Sequence, residues 1–395
     1  MSETPEEASI PLSVPVLAGN EWDYVRECLD SGWISASGEY VTRFEDAVRA
    51  FTGAPHAVAC SSGTAALHVA LELAGVNAGH AVIVPTMTFI ASANSVRYRG
   101  GEPILLDCDA YLNIDADRLE QYLAEFWQPA LRRVVDAATG REVRAIMPVH
   151  VYGNLCNMER LMDLAERYGL AVVEDATESL GSTFTAGRYA GRHAGTLGTL
   201  AALSFNGNKI VTTGGGGMIL TGDAQLAARA RYLTTQAKDD SLRYVHGAVG
   251  YNYRISNVLA AIGVAQMEQL PAFIRVKRRN WKRYADGLEA IPGLSLMDAP
   301  EGTDPNRWFY ALVIDEDQFG MDRDALMEQL AESGVEARPL WLPIHLQPPY
   351  RGCRVVGGER AVWYCQRVLS LPCSSDLRPA DVDRVLRMLQ LLARS

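Results

Sequence analysis

Ser-Phe-Asn-Gly-Asn-Lys-Ile-Val-Thr-Thr-Gly-Gly-Gly-Gly, residues 204–217, is the stretch that decides the fold. The apolar run at 201–205 predicts a strand that leads into it, and the glycines at 214–217 allow backbone to approach a ligand closely. Lys209 lies between them, and a lysine amine with its usual pKa of about 10.4 is protonated at neutral pH. A reactive lysine therefore needs surroundings that favour its neutral form. We interpret Lys209 as such an amine; the alternative is a lysine in a flexible surface loop.

Two carboxylates precede this lysine along the chain. Residues 170–174 predict a strand, and Asp175 follows at its carboxyl end, where open α/β sheets place their ligands. A carboxylate that keeps a pyridinium nitrogen protonated and a lysine amine are the two groups that pyridoxal phosphate chemistry requires. Glu178 would reach the ring hydroxyl or the reacting carbon. The alternative is a capping Asp175 beside a solvated Glu178.

A third motif, Ser-Ser-Gly-Thr-Ala at 61–65, joins a predicted strand to a predicted helix. Free N–H groups and the positive end of the helix dipole attract anions, so Ser62, Gly63 and Thr64 are candidates for binding a phosphate. Ser204 and Asn206 would add further donors. A simple N-cap is the alternative, because serine is common at that position.

Two more candidate positions lie on loops. Phe89 follows the predicted strand at 81–85 and would stack on a flat cofactor ring, with ordinary core packing as the alternative. Asn252 lies in Gly-Tyr-Asn-Tyr-Arg at 250–254 and would donate to the phosphate, in a neighbouring subunit. Arg254 is interpreted as a partner for a structural carboxylate.

The order of predicted elements indicates an α/β protein. Short apolar runs alternate with amphipathic segments from about residue 57, which predicts a mixed, mostly parallel sheet flanked by helices. We predict an N-terminal arm and large domain at 1–254, and bridging helices at 257–270 and 271–291 with a small α+β domain at 255–395. Further strands are predicted at 145–149 and 308–314.

Composition excludes several function classes. The 395 residues carry a formal net charge of −10, which argues against nucleic acid or anionic membrane as a partner. The seven cysteines are scattered without a C-x-x-C spacing, and the histidines, His150 among them, lack metal-site spacing, so we expect no disulfide framework and no metal. The acidic residues 2–7 lack the features of a targeting segment and no apolar run is long enough to span a membrane, so we expect a cytoplasmic protein.

Taken together, these motifs resemble those of the DegT/DnrJ/StrS family of sugar aminotransferases. The remaining motifs that carry the resemblance are Pro-Thr-Met-Thr-Phe-Ile-Ala at 85–91, Pro-Val-His-Val-Tyr-Gly at 148–153 and Glu-Asp-Ala-Thr-Glu-Ser-Leu-Gly at 174–181. The resemblance implies the aspartate aminotransferase fold (fold type I), a homodimer with shared active sites, and pyridoxal phosphate on Lys209. It implies that Asp175 pairs with the pyridine nitrogen, that Glu178 lies near the ring oxygen, and that Asn252 reaches across from the partner subunit.

The amino-acid sequences of several segments narrow the range of expected substrates. Residues 10–15, 32–35 and 338–341 look most like enzymes of the bacillosamine and legionaminic acid type. These transfer the amino group of L-glutamate, leaving 2-oxoglutarate, to C4 of a UDP-linked 4-keto-6-deoxy-N-acetylhexosamine. Sugar contacts are expected from 33–35 and 338–345. A C3 aminotransferase, a sugar dehydratase and a non-catalytic sugar-binding or regulatory protein are the alternatives.

Overall fold

The computed structural model describes residues 8–240 and 242–393; the acidic segment at 2–7 lies outside them. Twelve α-helices are present in the described chain: α1 Glu21–Ser31, α2 Glu39–Thr52, α3 Gly63–Leu73, α4 Ala91–Tyr98, α5 Ala116–Phe126, α6 Met158–Tyr168, α7 Ala224–Thr234, α8 Asn257–Leu288, α9 Glu316–Phe319, α10 Arg323–Glu332, α11 Glu359–Arg367 and α12 Pro379–Leu392. The strands are β1 His56–Cys60, β2 His80–Pro85, β3 Glu102–Leu106, β4 Trp127–Gln128, β5 Arg133–Val134, β6 Glu142–Ile146, β7 Ala171–Asp175, β8 Thr183–Phe184, β9 Leu200–Ser204, β10 Gly217–Thr221, β11 Lys238–Asp240, β12 Val245–His246, β13 Leu294–Leu296, β14 Thr303–Asp304, β15 Tyr310–Ile314, β16 Arg338–Pro339, β17 Val355–Val356 and β18 Val368–Leu371.

The large sheet has eight strands in the order β1-β10-β9-β7-β6-β2-β3-β17. Strand β10 pairs antiparallel with both of its neighbours, and the other pairings are parallel. Apolar side chains from both faces of this sheet are buried beneath helices, which is why the parallel strands are apolar throughout. The predicted α/β class with a mixed, mostly parallel sheet is confirmed. Because all strands except β10 point the same way, their carboxyl ends share one edge of the sheet.

A close approach between two loops fixes the start of helix α3 at that edge. The Ser62 hydroxyl oxygen caps the helix by accepting from the Ala65 N–H at 3.0 Å. A Cβ atom at Gly217 would lie 2.2 Å from the Ser62 carbonyl oxygen, so no other residue fits where β10 begins. The glycine-rich turn thus lets β10 pack directly beneath the N-terminus of α3.

Helix α8 is continuous, and the prediction of two helices meeting at Pro271 is wrong. Pro271 lies inside a helix that runs from Asn257 to Leu288. A proline inside a helix costs about 3 kcal/mol. Leu270, Phe273 and Ile274 are all buried on either side of it, and burying each such side chain contributes about 1.5–3 kcal/mol. Packing therefore outweighs the lost backbone hydrogen bond.

A second, antiparallel sheet in the order β13-β15-β18-β16 forms a separate core with the end of α8, α10 and α12. Its chain does not divide cleanly at the predicted position near residue 255. Ile10 packs in this second core, with its N–H bonded to the Gly334 carbonyl at 2.8 Å. Conversely, β17 belongs to the region predicted as the small domain, yet it pairs with β3 at the edge of the large sheet. The boundary at 254 and 255 remains a prediction.

Two predicted strand limits differ from the structure for reasons that matter at the site. The strand predicted at 308–314 begins at Tyr310, because Trp308 and Phe309 turn into a cavity. The strand predicted at 145–149 ends at Ile146, and Val149 lines the same cavity. Among the described residues, each helix is either too short or too polar to span a membrane.

Candidate active site

A cavity of about 310 Å³ opens at the shared carboxyl edge of the large sheet. The loops that follow β1, β2, β6, β7 and β9 all contribute to its walls, as expected for ligand sites in open α/β sheets. The predicted site residues that line it are Ser62, Gly63, Thr64, Phe89, Asp175, Glu178, Ser204, Asn206 and Lys209. The cavity therefore brings together every predicted site residue except Asn252.

Lys209 lies between an anion and an aromatic ring. Its Nζ atom is 3.5 Å from Glu178 Oε1 and 3.8 Å from the centroid of the Trp308 ring, and the side chain is 12% exposed. Burial lowers the pKa of the Lys209 amine below its usual value, and the negative charges of Glu178 and Asp175 oppose that shift. Burial thus makes the neutral amine more accessible than in an exposed lysine, as a reactive lysine requires.

Glu178 is a buried carboxylate with two partners. Burial raises its pKa to about 7, while Lys209 and the Tyr152 N–H, which donates to Oε2 at 2.9 Å, pull in the other direction. Tyr152 holds this N–H in place with a left-handed backbone, φ 57°, that is strained for an aromatic residue. Glu178 can therefore exchange a proton with its surroundings near neutral pH. The alternative of a solvated Glu178 is wrong.

Asp175 ends β7 and is only 3% exposed. Ser92 Oγ donates to its Oδ2 atom at 2.7 Å, and Thr177 donates to Oδ1 from its hydroxyl at 2.7 Å and from its N–H at 3.2 Å. Neither of these neighbours was singled out from the sequence, although both are hydroxyl residues inside the quoted or adjoining motifs. Three donors fix the orientation of this carboxylate against the cavity.

The N-terminus of α3 forms the opposite end of the cavity. Ser62 is the N-cap, so the capping interpretation is correct and the first turn still presents Gly63 and Thr64 to the cavity. A Cβ atom on Gly63 would lie 2.8 Å from the Ser204 Cβ atom, so the two loops touch here. Donors from α3 and from the lysine loop consequently converge, which suits a phosphate.

Aromatic rings make up one wall. Phe89 is 53% exposed and its ring centroid is 6.1 Å from that of Trp341. An exposed Phe89 on a cavity wall is free to stack on a flat ligand, so ordinary core packing does not describe it. Trp308 and Phe309 continue the wall, with centroids 4.1 Å apart. Sequence reasoning missed both as cavity residues, because adjacent aromatic residues read equally well as the start of a buried strand.

Asn252 and Arg254 lie outside the cavity. Asn252 is exposed and its backbone bridges to Thr235. Arg254 forms an ion pair at 2.5 Å with the buried Glu45, which confirms its interpretation as the partner of a structural carboxylate. Trp33, from a stretch expected to contact sugar, is 58% exposed and borders a separate depression beside Tyr40. Of the other expected stretch, Trp341 lines the cavity.

The chemistry of this donor set fits pyridoxal phosphate. The cavity offers an amine of lowered pKa at Lys209, an oriented buried carboxylate at Asp175, a helix N-terminus with adjacent hydroxyls and an exposed aromatic face at Phe89. Among the described residues, no group of three or more His, Cys, Asp and Glu side chains could hold a metal ion. His150 instead bonds to the buried Glu174 at 3.0 Å.

Comparison with known proteins extends over almost the whole chain. The profile of the DegT/DnrJ/EryC1/StrS aminotransferase family matches residues 15–390. The chain is 39% identical over 393 residues to GDP-perosamine synthase of Caulobacter vibrioides, covering 98% of this chain and 99% of that protein. It is 37% identical over 341 residues to GDP-perosamine synthase of Escherichia coli O157:H7, covering 86% and 87%. The crystal structure of DesI in the presence of its TDP-sugar product matches with a TM-score of 0.86 and 31% identity, covering 98% of this chain and 93% of that one.

Proposed function

Since the chain belongs to the DegT/DnrJ/EryC1/StrS aminotransferase family, we propose that it transfers the amino group of L-glutamate to the C4 ketone of a nucleotide-linked 4-keto-6-deoxyhexose. Family membership makes it a pyridoxal phosphate-dependent aminotransferase of nucleotide sugars. The observation that carries the proposal is the convergence of Lys209, Glu178 and Asp175 in one cavity beside the N-terminus of α3.

Each predicted residue has a proposed task in holding the cofactor. Asp175 would pair with the ring nitrogen and Phe89 would stack on the ring face. The phosphate would be held by Ser62, Gly63, Thr64, Ser204 and Asn206 at the junction of α3 with the lysine loop. Asn252, which is exposed and outside the cavity of its own chain, would add a donor to the phosphate in a partner subunit.

When bound, pyridoxal phosphate supplies an aldehyde carbon that carries the amino group and a ring that withdraws electrons from the reacting carbon. Lys209 Nζ would take the proton from the α-carbon of glutamate in the first half of the reaction. It would deliver a proton to the sugar carbon in the second half. Glu178, 3.5 Å away, would hold or accept a proton from this nitrogen, which its pKa of about 7 allows.

Two candidate nucleotide sugars are each supported by a different observation. The named relatives, 39% and 37% identical, are GDP-perosamine synthases, and they favour a GDP-linked keto sugar. The spelling of residues 10–15, 32–35 and 338–341 favours a UDP-linked 4-keto-6-deoxy-N-acetylhexosamine. We take the GDP-linked substrate as the first candidate because the identity to those relatives extends over most of the chain.

The test is amination of defined keto sugars. Purified protein with pyridoxal phosphate and L-glutamate would be given the UDP-linked 4-keto-6-deoxy-N-acetylhexosamine or the keto sugar that corresponds to GDP-perosamine, and NMR would locate the new C–N bond. We expect an amine at C4 of one of them, with formation of 2-oxoglutarate. An amine at C3 would overturn the regiochemistry, and loss of a hydroxyl without amination would identify a dehydratase. A protein that binds the sugar and leaves it unchanged would favour a non-catalytic role.

A further inference from the structure

We propose that Trp308 is a positioning residue for Lys209. Its ring contacts the Lys209 ammonium group whenever that nitrogen is not bonded to the cofactor, and its indole N–H fixes the loop that carries the lysine. This inference rests on the proposed role of Lys209 as the reacting amine. Trp308 comes from the segment that enters the second sheet, 99 positions beyond the lysine in the printed sequence.

Two independent contacts join the two residues. The Nζ atom of Lys209 lies 3.8 Å from the centroid of the Trp308 ring. The indole N–H of Trp308 donates at 2.8 Å to the carbonyl oxygen of Asn208, the residue directly before the lysine. One contact acts on the end of the lysine side chain and the other on the backbone that carries it.

The ring contact replaces part of the stabilisation that the Lys209 ammonium group loses when burial removes its hydration. A buried ammonium group loses its hydration, and the face of an indole is the strongest aromatic partner for a cation in a desolvated site. Glu178 Oε1 lies 3.5 Å from the same Nζ atom. The free amine thus has a defined position between a carboxylate and a ring, from which it can return to the reacting carbon.

Trp308 is itself held firmly, as a positioning residue must be. It is 2% exposed, and its backbone N–H donates to Asn306 Oδ1 at 2.9 Å. The Asn306 side chain in turn donates to the carbonyl oxygen of Glu178 at 2.9 Å. On the other side, the Trp308 carbonyl oxygen accepts from the buried amine of Lys277 at 3.0 Å. The same backbone segment is therefore tied both to the Glu178 turn and to helix α8.

The chain is well suited to a direct test because it contains only four lysines, at positions 209, 238, 277 and 282. NMR of protein labelled with ¹³C and ¹⁵N at lysine, freed of cofactor and without sugar, resolves each amine, and Lys209→Arg assigns the signal. In the unaltered protein we expect the Lys209 ε-methylene protons to be shifted upfield by the indole ring current. Absence of that shift would overturn the proposal before any substitution is made at Trp308.

Two substitutions then separate the contacts. Trp308→Leu removes the ring and the N–H but keeps apolar cover, so the pKa of the Lys209 amine should fall by about one pH unit. Trp308→Phe keeps a weaker ring and loses the N–H, so the pKa should fall by less, while hydrogen exchange of residues 205–210 should become faster. The matched control is Trp363→Leu. Trp363 is 44% exposed, its ring contacts the guanidinium group of Arg367, and it is not among the residues that line the cavity.

An unchanged Lys209 pKa and unchanged exchange in a folded Trp308→Phe protein would overturn the inference. Should Trp308→Leu not fold, the Phe variant and the ring-current shift decide the matter. The outcome is distinct from that of the amination assay. A protein with the Lys209–Trp308 contacts intact that aminates no keto sugar would overturn the proposed function alone.

Discussion

At the scale of single residues, Lys209 is the group on which the proposed reaction depends. Replacing it with alanine removes the only amine that lines the cavity among the described residues. We expect Lys209→Ala to lower the amination rate by at least about 10²-fold and to abolish the visible absorbance of lysine-bound cofactor. Lys282→Ala is the control, because Lys282 is 74% exposed and pairs with Asp286 in a surface ion pair. Normal turnover in the Lys209→Ala protein would remove the assigned role.

Glu178 gives a prediction about pH. Its pKa rises from 4.5 to about 7 on folding, so between these values the folded state binds more protons than the unfolded state. The free energy of unfolding should therefore fall as pH rises through this window, by about 2 kcal/mol between pH 5 and pH 8. The lowered pKa of Lys209 has the opposite sign and adds stability as pH rises toward 10.5.

The measurement is urea denaturation of cofactor-free protein at both pH values. Glu178→Gln removes the titrating group, so its stability should depend less on pH than that of the parent protein. Equal pH dependence in the two proteins would mean that Glu178 is ionised throughout the window in both states.

Residue identity and spacing predicted that Lys209, Asp175 and Glu178 share one site, because each lies in a short motif at or after the end of a strand, and all three line the same cavity. Trp308 and Tyr152 could not be predicted in the same way. Their contribution depends on which segments meet in space: a ring face in one case and a strained backbone N–H in the other. Neither property leaves a local signal in a single sequence.

At the scale of elements, helix α8 gives a prediction about stability. Pro271 is exposed, so changing it leaves the buried contacts of Leu270, Phe273 and Ile274 in place. Pro271→Ala restores a backbone N–H and removes the ring clash, and we expect it to raise the free energy of unfolding by about 1–3 kcal/mol. Ala272→Gly, at the neighbouring exposed position, should lower it by about 1 kcal/mol. Chemical denaturation measures both; a destabilised Pro271→Ala protein would mean that the helix needs the proline.

The elements that could be predicted are those in which the number and order of apolar residues are enough to indicate a strand or a helix. The strands at 81–85 and 201–205 are of this kind, because both faces are buried. Two-residue strands such as β16 and β17 could not be predicted, since their pairing is decided by a distant partner strand. Helix α8 was divided wrongly because local propensity gave way to packing on both sides of Pro271.

At the scale of the whole molecule, exposed apolar side chains support the predicted homodimer. The hairpin of β11 and β12 and the loop after it expose Leu242, Tyr244 and Val249 to 82%, 73% and 82%. Asn252 follows on the same segment. We expect Val249→Asp to shift sedimentation from a dimeric toward a monomeric mass, because a charge there opposes burial.

The same variant should weaken binding of pyridoxal phosphate if Asn252 reaches a partner's cavity. Leu391→Asp is the control, since Leu391 is 70% exposed near the end of α12, an element that is not part of the hairpin. A Val249→Asp protein that keeps the mass of the parent would place the self-association surface elsewhere.

The pairing of β17 with β3 has a consequence for biosynthesis. Leu105 lies next to Val355 in that pairing, so the outer strand of the large sheet is supplied by a segment that is synthesised 250 residues after its partner (355 minus 105). Until then the flank of β3 offers unpaired amide groups to any neighbouring extended chain, a known route to aggregation. A nascent chain stalled before this point would already contain the strands that border the cavity, but the edge of β3 would still be unpaired. Chaperone binding should therefore be strongest during this interval of translation.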